Sequence, residues 1–402
     1  MKIYEIGTGY TPIPARVSAA TESVVEELTK AYMQMGQSVE IIDISASDRA
    51  ENSLPITQVK VPSAFTESDV SLGFVHKLKR VVFSIALSFK LKEILKREKD
   101  DTILHFHNQY NLFFFTKLVS KKLRSKAVIA YTNHNGMWSL PWNEVKDTLH
   151  KRYFQEIAAM KSADLIFVLN KNTKENIVSK LGIKKNAIIE IRNGVNTDVY
   201  HPLAEDEIER IKLTHGLSGK QVILQVGSVY ENKGQARCVA MLAPLLKKYD
   251  DLVYAYAGEI VSQEYAAQVE DSALKCGISD KVIYLGSVAP GKEMNEIYNL
   301  ACATVFASRY EGFPLVCAES LSAGVPVVIC SDTSINFGAG SVLTCKDKIE
   351  KDIENLIINT EKHKKLCFNA RVNAVNNYLW KSIAQEHITA FTEKVKINVK
   401  KT

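Results

Sequence analysis

Residues 303–329 hold an apolar run, a glycine turn, a short helical pattern and a second apolar run, an order that fits a βαβ layer and little else. Ala303-Thr304-Val305-Phe306-Ala307 reads as a buried strand. Gly312 permits a tight turn, and Pro314 suits the first position of a helix, where its missing N–H costs nothing. That helix is expected to run to about Ala323 and stop at Gly324, with Pro326 opening the next strand. The turn then sits at the carboxyl edge of a parallel sheet, where open α/β folds bind ligands. At the helix N-terminus the N–H groups of Leu315 and Val316 lack an intrahelical partner and favour an anion. Glu311 and Glu319 flank this position, separated by seven residues that include Phe313. Acids beside a phosphate make poor phosphate ligands, so their natural partners are the neutral hydroxyls of a sugar or ribose.

The same alternation extends along the chain. Strands are expected at 2–6, 39–44, 102–107, 127–132, 164–169 and 187–191, then at 221–226, 252–257, 281–285, 303–307 and 325–329. Ser18 is the expected N-cap of a helix that places Val24, Val25, Leu28, Ala31, Tyr32 and Met35 on one face and ends at Gly36. A chain of 402 residues is too long for one ordinary core, so two domains are expected. The turn-rich stretch from Asn193 to Pro202 marks their boundary, giving domains 1–198 and 199–379. Gly7-Thr8-Gly9-Tyr10 follows the first strand, but without the third glycine it is no dinucleotide fingerprint.

With 46% hydrophobic and 24% charged residues the chain reads as a soluble globular protein. It holds no run of about eighteen uncharged apolar residues. The N-terminus begins as a strand rather than a signal peptide, and the seven cysteines, none in a Cys-x-x-Cys pair, suit a reducing cytosol. Residues 1–198 carry 28 Lys and Arg against 21 Asp and Glu, a net +7, and the rest carry 23 against 24, a net −1. The imbalance points to an anionic surface or substrate for the first half.

Glu311 and Glu319 lie inside Tyr-Glu-Gly-Phe-Pro-Leu-Val-Cys-Ala-Glu, followed by Ala-Gly-Val-Pro-Val-Val, and this stretch resembles the signature of the family 4 retaining glycosyltransferases. Asn193-Gly194-Val195-Asn196-Thr197-Asp198-Val199-Tyr200-His201-Pro202 resembles the interdomain hinge of that family, and the stretch 380–402 its closing helix, which crosses back onto the first domain. Gly227-Ser228-Val229-Tyr230-Glu231-Asn232-Lys233-Gly234 is similar to the family's Gly-Arg-x-x-x-x-Lys-Gly loop. In that pattern the Arg and Lys neutralise the departing diphosphate; here Ser228 stands for the Arg, so either another cation, Arg309 or Arg16, contributes the charge or the site is weakened. Gly258-Glu259 and Leu285-Gly286-Ser287-Val288 match the loops that hold the nucleotide base.

The resemblance implies the GT-B architecture, an α/β fold of two Rossmann-like, doubly wound domains facing across a cleft. It implies a retaining, metal-independent transferase that uses a nucleotide-diphosphate sugar as substrate, with no cofactor. The expected acceptor is a sugar, lipid-linked sugar or glycolipid in bacterial polysaccharide or glycolipid assembly, and no nucleic acid partner is implied. Glu311 would hold the transferred sugar, Glu319 the ribose, and Gly312, Phe313, Pro314, Leu315 and Val316 would complete the donor loop. Gly9, Arg16 and His134 are the acceptor-side residues, and His107, Lys233 and Glu311 carry the catalysis. Two other readings stay open: a GT-B nucleotide-sugar epimerase or hydrolase, and a non-catalytic partner of an active transferase, the latter motivated by Ser228 and by Cys330-Ser331-Asp332-Thr333-Ser334-Ile335-Asn336-Phe337-Gly338, which stands where the family has a Gly-rich loop followed by Pro-Glu.

Three stretches carry competing readings. Strand alternation puts His105 and His107 on one face, as a metal pair would need, but no third ligand stands near them in the sequence. The alternatives are two satisfied sheet histidines or, by the resemblance, a His107 beside the transferred sugar. Trp138 and Trp142 either line an apolar acceptor groove or cover the core. Residues 74–99 hold eight basic residues and two acids, with Phe74, Leu78, Val81, Val82, Ile85 and Phe89 on one face. This is either a core-packing helix or an amphipathic one that rests on anionic lipid at the inner face of the plasma membrane.

Overall fold

The short runs of Val, Ile, Leu and Phe form strands buried on both faces, which is why they read as continuous rather than alternating. In this computed structural model residues 1–14, 20–47, 49–66, 74–330 and 335–399 are described, the side chains of 74–76 and 399 excepted. Arg16, the expected cap Ser18 and residues 331–334 lie outside the described residues. The chain divides into two compact units, Met1–Asn193 with Trp380–Thr402, and Gly194–Leu379. The division falls after Asn193 rather than after residue 198. Val195 already belongs to the second unit, because its N–H donates to Tyr378 C=O at 2.7 Å and it pairs with Leu379.

The first unit is built on a parallel sheet of β1 (Lys2–Ile6), β2 (Ser38–Ile44), β3 (Ile56–Val59), β4 (Thr102–Phe106), β5 (Ala127–Asn133), β6 (Leu165–Val168) and β7 (Ile188–Glu190), in the order β3-β2-β1-β4-β5-β6-β7. The winding reverses between β1 and β4, so the loops after these strands flank the position where such sheets take ligands. Gly7 to Gly9 follow β1, and His107 follows β4. Helix Ala20–Gln34 buries Val24, Val25, Leu28, Ala31 and Tyr32. Helix Trp380–Val399 packs against that helix and β5, so the expected closing element completes this unit's core.

Helix Phe74–Arg97 buries a face other than the expected one. Phe83, Leu87, Leu91 and Leu95 are fully buried, whereas Leu78 and Phe89 are 43% and 55% exposed. Two apolar stripes run along this helix: that of Phe83, Leu87, Leu91 and Leu95 is buried in the unit, where the helix packs against helix Gln109–Leu118, and that of Leu78 and Phe89 faces solvent.

The second unit holds β8 (Gln221–Val226), β9 (Leu252–Ala257), β10 (Val282–Tyr284), β11 (Ala303–Phe306), β12 (Val327–Ile329) and β13 (Ser341–Leu343), parallel and ordered β10-β9-β8-β11-β12-β13. Alternate residues enter two cores. Leu224, Val226 and Phe306 pack on one side of the sheet, and Ile223 and Val305 on the other. Its reversal lies between β8 and β11, which puts residues 227–234 and 308–314 at the ligand-binding edge.

Candidate functional site

In the second unit, helix Leu315–Ser322 starts one residue later than expected, with Pro314 as its N-cap at φ −74° and ψ 104°. A proline at this position still satisfies the turn, since Cys317 N–H donates to Pro314 C=O at 3.1 Å. The N–H groups of Leu315 and Val316 point back past the helix end, where no carbonyl of the helix can reach them. Phe313 turns inward, its ring 5.0 Å from that of Phe337 and 5.9 Å from Tyr378, and so anchors the loop.

The loop after β8 brings Lys233 to the same edge. Its Nζ lies 2.6 Å from Glu311 Oε1, with 19% and 21% of the two side chains exposed. Burial opposes the Lys233 charge, but the Glu311 carboxylate outweighs it and holds the ammonium above its ordinary pKa. Gly227, Gly258 and Gly286 then tie three strand ends together: Gly227 N–H donates to Ala257 C=O, Gly258 N–H to Gly286 C=O, each at 2.9 Å. Gly258 has φ +146°, and a Cβ there would lie 2.2 Å from Gly227 O, so only glycine permits this approach. Val229 N–H donates to Glu259 C=O, while Ser287 is exposed at the end of the row.

Glu319 lies on the helix that follows Pro314, where its Oε2 accepts from the Tyr298 hydroxyl at 2.7 Å. Burial pushes the Glu319 carboxyl above its ordinary pKa, with the Tyr298 and Tyr200 hydroxyls offsetting part of the rise. Tyr298 was not legible as a site residue, because an aromatic on a helical face reads as core. Ser228 is half-buried, and its carbonyl accepts from Gln235 Nε2 at 3.1 Å. Arg309 lines a cavity of about 430 Å3 with Tyr230, Arg237, Tyr265 and Tyr310. Lys233, Glu311 and Glu319 are not among its lining residues.

In the first unit, Gly9 has φ +80° and a Cβ there would strike the Phe83 ring at 2.1 Å. Its place in the loop is therefore set by packing under helix Phe74–Arg97. Asn111 Nδ2 steadies the same loop by donating to Gly7 O at 2.9 Å and Thr8 O at 3.2 Å.

His105 and His107 share a face, and the third residue that the sequence reading lacked is Glu5. Strand register sets Glu5 on β1 beside His105 on β4. His105 Nδ1 lies 2.8 Å from Glu5 Oε1, and His107 Nε2 lies 2.7 Å from Glu5 Oε2. Thr132 Oγ1 is 2.7 Å from His105 Nε2, and His134 Nε2 is 3.0 Å from His107 Nδ1. Burial pushes the Glu5 carboxyl up, but His105 and His107 outweigh it and bring it to about 2. Burial, with His105 adding to it, holds His107 at about 4. One carboxylate and two imidazoles within 4.8 Å form a donor set that a divalent transition metal accepts. The same atoms already meet at hydrogen-bonding distance, so the cluster is satisfied as it stands.

Glu156 forms a second buried hub. It accepts from Tyr131 Oη and Asn133 Nδ2 at 2.9 Å, and from Asn135 Nδ2 and Trp138 Nε1 at 2.8 Å. Trp138 is thus fully buried and belongs to the core rather than to an acceptor groove; Trp142 stacks near it, half-buried.

The comparisons with known proteins agree with this layout. The model of glycosyltransferase family 4 matches residues 21–199, and that of glycosyl transferases group 1 matches residues 207–373. The chain is 25% identical over 191 residues to mannosylfructose-phosphate synthase of Agrobacterium fabrum, covering 46% of this chain and 42% of that protein. It is 23% identical over 234 residues to the GDP-mannose-dependent alpha-(1-6)-phosphatidylinositol monomannoside mannosyltransferase of Mycolicibacterium smegmatis, covering 55% of this chain and 60% of that protein. The match thus spans about half the length of these relatives. Among solved structures, Anabaena HepE in complex with UDP and glucose superposes with a TM-score of 0.72 at 16% identity, covering 98% of this chain and 99% of that one. Two parallel α/β units and the two family matches lead to one assignment: the chain belongs to the family 4 glycosyltransferases and has their two-domain GT-B fold.

Proposed function

We propose that this protein is a retaining, metal-independent glycosyltransferase that moves a sugar from a nucleotide-diphosphate sugar to a hydroxyl of a sugar, lipid-linked sugar or glycolipid. The observation that carries this reading is the Lys233–Glu311 pair at 2.6 Å, at the reversal point of the second sheet and beside a helix N-terminus. As the bond from the anomeric carbon to the diphosphate breaks, negative charge grows on the leaving oxygen. Lys233 and the N–H groups of Leu315 and Val316 are the donors on hand to stabilise it. Glu311 gives up Lys233 to the diphosphate and takes hydroxyls of the transferred sugar, while Glu319 takes those of the ribose. The acceptor oxygen forms the new bond from the leaving-group face, and its proton passes to the departing phosphate oxygen.

The donor class is supported by HepE, solved with UDP and glucose, and by the GDP-mannose dependence of the mycobacterial relative. That relative's name also supports a glycolipid acceptor. A place on the inner face of the membrane is part of the proposal. Leu78 and Phe89 are exposed on the solvent stripe of helix Phe74–Arg97, and Lys92 and Lys96 fall on the same stripe by helical spacing. Among the described residues no helix is long and apolar enough to cross a membrane.

The test is product analysis on a panel of UDP-, GDP- and ADP-sugars with sugar and lipid-linked acceptors. A glycoside with the donor's anomeric configuration, read by NMR, is expected. Inversion would overturn the retaining mechanism, and free or epimerised sugar with no glycoside would overturn the transferase reading.

A further inference from the structure

Arg309 is a candidate for the charge missing at Ser228, yet its side chain lines a different space. That space is the cavity of about 430 Å3 beside the reversal of the second sheet, and neither Lys233 nor Glu311 lines it. The loops after β8 and β11 thus act as a partition. Lys233 and Glu311 meet each other at 2.6 Å, while their neighbours Asn232, Gly234, Arg309 and Tyr310 line the cavity. We propose that this cavity is a second anion site, separate from that of the donor diphosphate, and that it binds a phosphate-bearing sugar through Arg309, Tyr265 and the N-terminus of helix Gln235–Lys248.

Several donors converge there. Tyr265 is only 7% exposed, and its Oη accepts from Ala236 N–H at 3.2 Å. Its own O–H proton has no acceptor among the described residues, and burial raises its pKa, so the group stays a donor at neutral pH. A buried donor left unmet calls for a partner. Arg309 is exposed, and its guanidinium meets no carboxylate among the described residues. Helix Gln235–Lys248 begins at Gly234 with no side chain capping it, so the positive end of a fourteen-residue helix meets the same space. Arg237, in its first turn, adds positive charge to the wall and is held by donating to Ala307 C=O. Among the described residues Glu231 is the one carboxylate in the lining, and it is exposed. The volume lies in the range of small-molecule sites and is more than a phosphate needs. Tyr230, Tyr265 and Tyr310 supply the rest of the wall, and such rings pack the C–H face of a sugar while their hydroxyls meet its own.

The two loops are fixed to each other. Arg309 N–H donates to Asn232 C=O at 2.8 Å, and Asn232 Nδ2 donates to Tyr310 C=O at 3.1 Å. Gly234 has φ +75°, and a Cβ there would lie 2.7 Å from Ala307 O, so only glycine lets the loops close up. A ligand in the cavity therefore touches the residues next to Lys233 and Glu311 on both loops. Its charge has the sign of the donor diphosphate, so the two ligands oppose each other weakly across the partition.

The binding test needs no turnover. The full chain is titrated calorimetrically with glucose, mannose and fructose 6-phosphates, with neutral glucose as control, in the absence and presence of saturating UDP. A phosphosugar is expected to bind in both conditions where glucose does not, with UDP weakening it no more than about fivefold. Arg309→Gln should weaken that binding about tenfold or more and leave UDP affinity within about twofold. Tyr265→Phe should weaken it about threefold or more; Arg309→Gln, on an exposed side chain, keeps the test sound if the buried change disturbs folding. No binding by any of the three phosphosugars overturns the proposal. So does binding abolished by UDP, which would mean a single shared site. A loss of UDP affinity of about tenfold in Arg309→Gln returns Arg309 to the donor diphosphate and also overturns it. Kinetics then separate two sources of the phosphate, and this step alone rests on the glycosyl-transfer reading. A rise in acceptor KM at unchanged kcat means that the cavity takes a phosphate of the acceptor. A change in kcat or donor KM at unchanged acceptor KM makes the ligand a free regulator. No effect on any of the three at saturating phosphosugar marks an adventitious site and overturns the proposal.

Discussion

Replacing Glu311 and Glu319 by Ala in separate chains is expected to split two carboxylates that look equivalent in sequence. Glu319 is proposed to hold ribose hydroxyls through the carboxylate that also takes the Tyr298 hydroxyl. A hydrogen bond to a charged acceptor contributes about 1.5–3 kcal/mol, so Glu319→Ala should weaken a free nucleoside diphosphate roughly 10- to 150-fold. Glu311 instead pairs with Lys233, and both side chains are about one-fifth exposed. A pair of that exposure is worth about 1 kcal/mol or less. Removing Glu311 frees Lys233 for the diphosphate, so nucleotide affinity should stay within roughly fivefold and shift toward tighter binding, while turnover falls. Isothermal titration with UDP and GDP reads both numbers. Glu319→Ala also strands the Tyr298 hydroxyl, which costs about 1–3 kcal/mol of stability if left buried and unpaired. The double variant with Tyr298→Phe removes that side effect and must show the same loss of affinity. Equal weakening by both single variants, or a tenfold loss from Glu311→Ala, would refute the division of roles.

Lys233→Ala should lower kcat more than it raises the nucleotide Kd, since the diphosphate gains charge toward the transition state; equal effects would mean uniform binding only. Activity should survive EDTA, and a loss restored by added zinc or manganese would point to Glu5, His105 and His107 as a working metal site. His387, buried against His105 and Phe167, is held at about 3 by burial. Its folded pKa is depressed, so its contribution is present above about pH 6.5 and lost as pH falls toward 3, at about 1.4 kcal/mol per pH unit. Chemical denaturation between pH 6 and 4 should therefore show the wild type losing stability that much faster than His387→Phe, and parallel slopes would sink the reasoning. Attachment to anionic but not neutral vesicles should be lost on replacing Lys77, Lys92 and Lys96 by Gln; no binding at low salt would remove the membrane from the proposal. Lys79 and Arg80 are unsuitable for that test, because they bond Tyr10 O and Tyr10 Oη.

Much of this layout was legible. β1, β8 and β9 match the expected bounds, because each is a β-rich run of five or six residues ended directly by a glycine. β3 and β13 were not foreseen. They are edge strands of four and three residues, Ile-Thr-Gln-Val and Ser-Val-Leu, too short and mixed to show a period. The orientation of helix Phe74–Arg97 was lost for the opposite reason, since two apolar stripes at helical spacing compete there. The Glu311 turn was legible from its strand, glycine and helix pattern and Lys233 through a sequence resemblance, whereas Glu5 and Glu156 were passed over. An acid in a strand or an amphipathic helix reads as solvated until the fold shows what surrounds it. For Glu5 a signal existed, an acid flanked by Tyr4 and Ile6 in a sheet covered on both faces, which demands a partner.

The helix Trp380–Val399 has a consequence for how the protein is made. Ile383, Ala384 and Phe391 are buried in the first unit, and the Phe391 ring lies 5.7 Å from Phe167. These side chains leave the ribosome only after all of Gly194–Leu379 has been synthesised. At about 5–20 residues per second, the 186 residues between the two parts of the first unit take roughly 10–40 s to translate. Throughout that interval Phe167 and the face of helix Ala20–Gln34 await their cover, while the second unit, continuous in sequence, can complete its own sheet. The usual vectorial order is thus reversed: the half that emerges first is the half that matures last.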